Sequence, residues 1–185
     1  MKKFLTLKNI LLCSAALLAL VAFILSFTAG VKYVDANGNG EKFFNFIWGP
    51  KRLAEFGGGA YIEANIPAQY LPMPVATLPL VGALLVFVGA AAAVVLNFLL
   101  KKPFTKWIVL GCGAVVILGG VFFFLIRDGA VKQIAKVMEV TEVQAQEFLA
   151  HYGLKIKSAG AVVGGILGIL AGAACVASTF VPEKK

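Results

Sequence analysis

Four long apolar stretches, at about residues 9–30, 75–100, 104–126 and 158–181, alternate along the chain with segments where charges, glycines and prolines return. At about 1.5 Å of rise per residue, a helix of roughly 20 residues crosses about 30 Å of hydrocarbon, and each stretch is that long. None has Asp, Glu, Lys, Arg or His in its middle. The first exceeds the apolar core of about 7–15 residues typical of a secretory signal, so it reads as a span. The pattern predicts an all-α membrane protein, a four-transmembrane-helix bundle forming one domain over residues 1–185.

The two longer polar segments, about residues 31–74 and 127–157, join spans on the side opposite the termini. In the first, Lys42-Phe43-Phe44-Asn45-Phe46-Ile47-Trp48 reads as a strand that places Phe44, Phe46 and Trp48 on one face at period two. Residues 60–66 form a second extended candidate after three glycines, so this outer loop is expected to be partly β-structured. In the second loop, Val131, Ile134, Ala135 and Met138 recur at helical spacing, as do Ala145, Phe148, Leu149 and Tyr152. That pattern predicts a short helical hairpin, its second helix opened by a Thr141/Gln144 capping box and stopped at Gly153.

The small residues inside the spans are patterned too. Gly160, Gly164, Gly168 and Gly172 recur every fourth residue in the last span, a glycine-zipper stripe that lets a neighbouring backbone approach. Gly89 in the second span, with Gly111 and Gly113 in the third, are further helix-packing candidates.

Composition agrees with this reading: 60% of the 185 residues are hydrophobic and only 14% are charged. Cys13, Cys112 and Cys175 all lie within apolar stretches, which excludes an external disulfide framework and marks them as packing residues. The net charge of +8 is informative by location. The termini and the short turn after the second span carry Lys2, Lys3, Lys8, Lys101, Lys102, Lys106, Lys184 and Lys185 against the single acid Glu183. On the other side, Lys and Arg are interleaved with Asp and Glu. Dense lysine in short segments at span ends places the termini in the cytoplasm of a plasma membrane. The lysine-rich ends, and the lack of any Asn-x-Ser/Thr acceptor, fit a bacterial protein.

Candidate chemistry is sparse. Asp35, Asn37 and Asn39, with Gly38 and Gly40, match the opening of a calcium loop, but its twelfth position is Phe46 where a bidentate Glu belongs. The segment reads instead as an Asn-Gly turn and no metal is expected. His151 stands alone on a surface helix, and spans without ionisable interiors lack the groups that proton relays and ion pathways use. Neither an enzyme nor a cofactor is expected.

Two resemblances bear on the reading. Residues 133–154 resemble the helix-turn-helix of bacterial DNA-binding proteins, with Ala135 in the first helix and Val140-Thr141 at the turn. Glu139 stands where that motif uses Gly, and Glu142 and Glu147 would face phosphates, so no nucleic-acid partner is expected. The four spans and the larger first outer loop resemble the claudin and peripheral-myelin-protein tetraspan architecture, echoed by Trp48-Gly49 but without that loop's two cysteines. No adhesion or pore residue carries over. The expected role is that of a scaffold, assembly or accessory subunit in a lipid bilayer, in contact with other membrane subunits or its own copies. Phe44, Phe46, Trp48, Phe148 and Tyr152 would supply the outer surface. The alternative is an oligomeric pore lined by Ser26, Thr28, Asn97, Ser178 and Thr179.

Overall fold

The computed structural model describes residues 6–34, 41–45, 77–100, 104–125, 128–129, 131–132, 135, 139–151, 155–157 and 159–182. In chain order these form α1 (Leu7–Leu25), a 3-10 turn (Ser26–Thr28), β1 (Gly30–Val34), β2 (Glu41–Asn45), α2 (Thr77–Leu99), α3 (Thr105–Phe124), α4 (Glu142–His151), β3 (Lys155–Lys157) and α5 (Ala159–Ser178). Helices α1, α2, α3 and α5 are each long and apolar enough to cross a membrane. This is a multi-pass helical membrane protein.

The apolar stretches and the helices differ most at the end of the first span. There the helix gives way to the 3-10 turn before residue 30, because Ser26 and Thr28 bend the chain. Their hydroxyls donate to the carbonyls of Phe23 and Leu25 at 2.6 and 2.7 Å. At the other end of α1, the Thr6 hydroxyl accepts from the Asn9 N–H at 3.3 Å and caps the helix.

The four spans form a ring in chain order, α1 beside α2, α2 beside α3, α3 beside α5, and α5 closing back onto α1. Every neighbouring pair is antiparallel. Asn9 meets Asn97 at one end of the α1–α2 seam, and Phe23 meets Phe87 toward the other, ring centroids 4.7 Å apart. The start of α1, the α2–α3 turn and the end of α5 therefore share one end of the bundle.

Size is distributed in the reverse of a water-soluble fold. The buried core is built largely from small side chains: Ala15, Ala19 and Ala22 of α1, Ala83, Ala90 and Ala93 of α2, and Ala161 and Ala171 of α5. Phe123, Leu12 and Val86 are the largest fully buried side chains. The bulky residues point outward, with Leu17 62%, Val88 57% and Leu170 51% exposed. With lipid as solvent an exposed leucine costs nothing, and small side chains inside let helix backbones close on one another.

At the opposite end from the termini, β1 pairs antiparallel with both β2 and β3, giving a three-stranded sheet of order β2-β1-β3. Gly30 lies opposite Asn45 on one side and Lys157 on the other. The strand expected at residues 42–48 is found over Glu41–Asn45, with residues 46–48 outside the described residues, and its partner is β1, which leads directly out of α1. Residues 60–66 lie outside the described residues. Because β3 leads directly into α5, the β1–β3 pairing ties the exit of α1 to the entry of α5.

In the second loop, Asp128, Gly129, Val131, Lys132 and Ala135 have helical backbone. The Val140 N–H then donates to the Ala135 carbonyl at 3.0 Å, with Glu139 between them at φ 54°. This is the six-to-one bond of a Schellman stop, with Glu139 in the left-handed position that Gly usually takes. Helix α4 opens where Thr141 N–H donates to Gln144 Oε1 at 2.9 Å and Gln144 N–H to Thr141 Oγ1 at 3.3 Å. Gly153 and Tyr152 lie outside the described residues.

Candidate functional site

The most specific geometry in the molecule is where its helices meet. On the α3–α5 seam, a Cβ at Gly113 would stand 3.0 Å from the Gly172 carbonyl oxygen, and one at Gly172 would stand 2.7 Å from the Gly113 carbonyl oxygen. One turn pair further along, Gly120 and Gly165 face each other with both corresponding distances at 2.9 Å. On the α2–α3 seam, Gly82 opposes Gly119 and Gly89 opposes the Val116 side chain. Side chains at these points would collide with backbone or close-packed groups.

The stripe of α5 is divided between neighbours. Gly160 abuts Thr28 and Leu25 of the α1 exit, and Gly164 faces the Ala22 carbonyl of α1 and the Phe123 ring of α3. Gly168 packs on Gly120 and Val86, and Gly172 on Ile117 and Gly113. All four positions therefore contact other helices of the same chain. Gly111 lies on the outer face of α3, with no atom of the described residues within 4 Å of where its Cβ would stand. It takes no part in the seams among the described helices, because it is two residues from Gly113 and so on a different face of the helix.

Gly82 and Gly165, outside the stripe, also meet backbone across a seam. A signal was present. Gly82 and Gly89, Gly113 and Gly120, and Gly165 and Gly172 are each separated by the same seven residues. Two turns of a slightly underwound helix return a residue to the same seam, as in left-handed coiled packing.

Polar groups inside the bundle are few and locally satisfied. The buried polar residues among those described are Ser26, Thr105 and Ser178. Thr105 donates to the Leu100 carbonyl at 2.7 Å, and Ser178 to the Cys175 carbonyl at 2.6 Å. Thr179 donates to the Val176 carbonyl at 2.7 Å. Asn97, half-buried, offers Nδ2 to Asn9 Oδ1 at 3.5 Å, the interhelical side-chain bond of the α1–α2 seam. The three cysteines are free: Cys175 is buried, Cys112 half-buried and Cys13 exposed on α1. Among the described residues no group of three or more His, Cys, Asp or Glu side chains is placed to hold a metal. Asp35, Asn37 and Asn39 lie outside those residues.

The two ends differ in charge and texture. At the termini end, Lys8 and Lys106 are the charged residues described, and the Lys106 ammonium lies 5.5 Å from the centre of the Trp107 ring. At the other end α4 buries Ala145 and Leu149, with Phe148 half-buried, and leaves Glu142, Val143, Gln146, Glu147 and His151 exposed. Of the other outer-loop candidates, Phe44 lies in β2, while Phe46 and Trp48 lie outside the described residues. Comparison with protein-family profiles, with curated protein sequences and with solved structures gives no match for this chain.

Proposed function

We propose that the protein is a non-enzymatic membrane scaffold or accessory subunit, whose bundle holds the sheet and α4 at one membrane face for contact with another membrane protein. The observation that carries this reading is the content of the core: alanine, glycine and branched apolar groups, with hydroxyls turned back onto their own helices. Among the described residues that core offers stability and shape, and holds no proton carrier or nucleophile–base pair. The α5 stripe is spent on α1 and α3, so partner contact falls to the loop face.

An oligomeric pore is the alternative. Its lining would need Ser26 and Ser178 at a surface between copies, whereas both are fully buried within one chain. The exposed face of α4 carries Glu142 and Glu147, which repel a phosphate backbone and disfavour a nucleic-acid partner. The proposed setting is a bacterial plasma membrane, with both termini and the α2–α3 turn in the cytoplasm.

Native mass spectrometry of the detergent-extracted protein, with affinity capture from native membranes, tests the assignment. A monomer, or a defined complex with a different membrane protein that is lost on deleting the loop face, supports the scaffold. A stable homomeric ring overturns it in favour of the pore.

A further inference from the structure

Three of the four seams are closed twice over. Across α2–α3, Gly82 and Gly119 meet backbone to backbone, and the Thr105 hydroxyl bonds the Leu100 carbonyl at 2.7 Å in the turn between the two helices. Across α3–α5 the interlock occurs at two levels, Gly113 with Gly172 and Gly120 with Gly165. Across α5–α1, Gly160 and Gly164 abut the end of α1, and the pairing of β1 with β3 straps the same two helices beyond the bundle. The α1–α2 seam is the least closely packed of the four. Helix α1 contains no glycine, and the glycines of α2, Gly82 and Gly89, both turn to α3. Among the described residues the hydrogen bond and the ring contact that cross this seam are both made by side chains. Asn97 Nδ2 reaches Asn9 Oδ1 at 3.5 Å, longer than the usual ~2.9 Å for such a bond, and Phe23 lies against Phe87, itself 38% exposed. The connection between α1 and α2, residues 26–76, is also the longest between successive spans.

Interlocked glycines separate only if a whole helix moves, whereas an amide and a ring can turn away on their own side-chain torsions. From this asymmetry we infer that the bundle opens laterally along α1–α2: α2, α3 and α5 move as one body, α1 pivots on its seam with α5, and Asn9–Asn97 is the latch. The glycine contacts that hold α1 to α5 fall at Ala22, Leu25 and Thr28, toward the loop end, so the termini end of α1 swings furthest. Opening turns part of the alanine-lined interior toward the bilayer, and at that depth acyl chains fill the gap. No charged group is among the described buried residues, so the movement uncovers none of them. The inference rests on the membrane-spanning reading and is independent of the scaffold role.

Double electron–electron resonance on the full chain, one copy per lipid nanodisc and with Cys112 and Cys175 replaced by alanine, tests the opening. One sample carries nitroxides at the native Cys13 of α1 and at Val95→Cys of α2, both on outer faces. The control, with Cys13→Ala, carries them at Leu118→Cys of α3 and Leu170→Cys of α5, also on outer faces. The α1–α2 pair gives a second, longer distance, and the α3–α5 pair gives one narrow distance. Asn97→Leu raises the longer population about threefold, the worth of an average hydrogen bond between membrane helices, and leaves the control pair unchanged. Because the first measurement keeps Asn9, Asn97, Phe23 and Phe87 native, it decides the matter even if Asn97→Leu fails to fold. A single α1–α2 distance as narrow as the control overturns the inference, as does an equal spread in both pairs. Two α1–α2 distances that Asn97→Leu does not redistribute overturn the latch. A homomeric ring in detergent would count against the scaffold and leave these distances standing.

Discussion

Gly82 and Gly119 face each other across the α2–α3 seam: a Cβ on Gly82 would lie 2.7 Å from the Gly119 carbonyl oxygen, and one on Gly119 2.8 Å from the Gly82 carbonyl oxygen. The contact is reciprocal and made by backbone on both sides, so neither partner can yield by turning a side chain. Gly82→Ala and Gly119→Ala are each expected to destabilise the bundle by about 1–3 kcal/mol, the usual cost of overpacking. Gly111→Ala, on the open outer face of α3, is expected to be close to neutral. Unfolding in mixed micelles, followed by circular dichroism, separates these outcomes. Equal losses at Gly111 and Gly82 would mean that Gly82 does not lie in a close-packed seam.

The α1–α2 seam is tied at the termini end by the Asn9–Asn97 hydrogen bond, whereas the Thr105 and Ser178 hydroxyls bond carbonyls five and three residues back in the chain. Hydrogen bonds between membrane helices, read by double-mutant cycles, are worth about 0.6 kcal/mol on average and about 1.7 at most. A double-mutant cycle with Asn9→Leu and Asn97→Leu is therefore expected to give a favourable coupling within that range. A coupling indistinguishable from zero would show that each amide is served by other partners.

The spans were legible because twenty apolar residues in succession have few other uses, and the boundaries followed except where Ser26 and Thr28 turn the first helix early. The stripe at Gly160, Gly164, Gly168 and Gly172 was legible as a packing feature, but which helix each glycine meets was not, since that depends on bundle order. Gly165 is not legible from its own span, because its partner, Gly120, is in a different one and only the shared seven-residue spacing links them. The third strand was hidden for a similar reason. Lys155-Ile156-Lys157 is too short to show strand periodicity, and it is a strand only because β1 is there to pair with it.

Glu139 at φ 54° is the described non-glycine residue with a left-handed backbone, and the Val140-to-Ala135 bond holds it there. A side chain in that region costs about 1–2 kcal/mol through its Cβ, and glycine removes the clash. Glu139→Gly is therefore expected to strengthen the turn ahead of α4 by about 1 kcal/mol, and Glu139→Val, branched at Cβ, to weaken it. Amide exchange at Val140 reads the local effect directly, being slowed by the first substitution and accelerated by the second. Unchanged exchange in both variants would show that the turn does not depend on this backbone geometry.

The proposed sidedness has its own test, because Gln144 and Lys106 are both exposed and lie toward opposite ends of the bundle. A cysteine at either position meets water at one membrane face. The native Cys112 and Cys175 are at least partly buried in spans, and Cys13 lies on the outer face of α1, so a membrane-impermeant charged maleimide should leave all three largely unmodified. With the termini in the cytoplasm, Gln144→Cys is expected to label in intact cells, and Lys106→Cys only after the membrane is opened. The opposite pattern would put α4 inside the cell. It would then set the turn at Glu139 and the helix-turn-helix resemblance of residues 133–154 in a compartment that contains DNA, where only the repulsion of Glu142 and Glu147 argues against binding it.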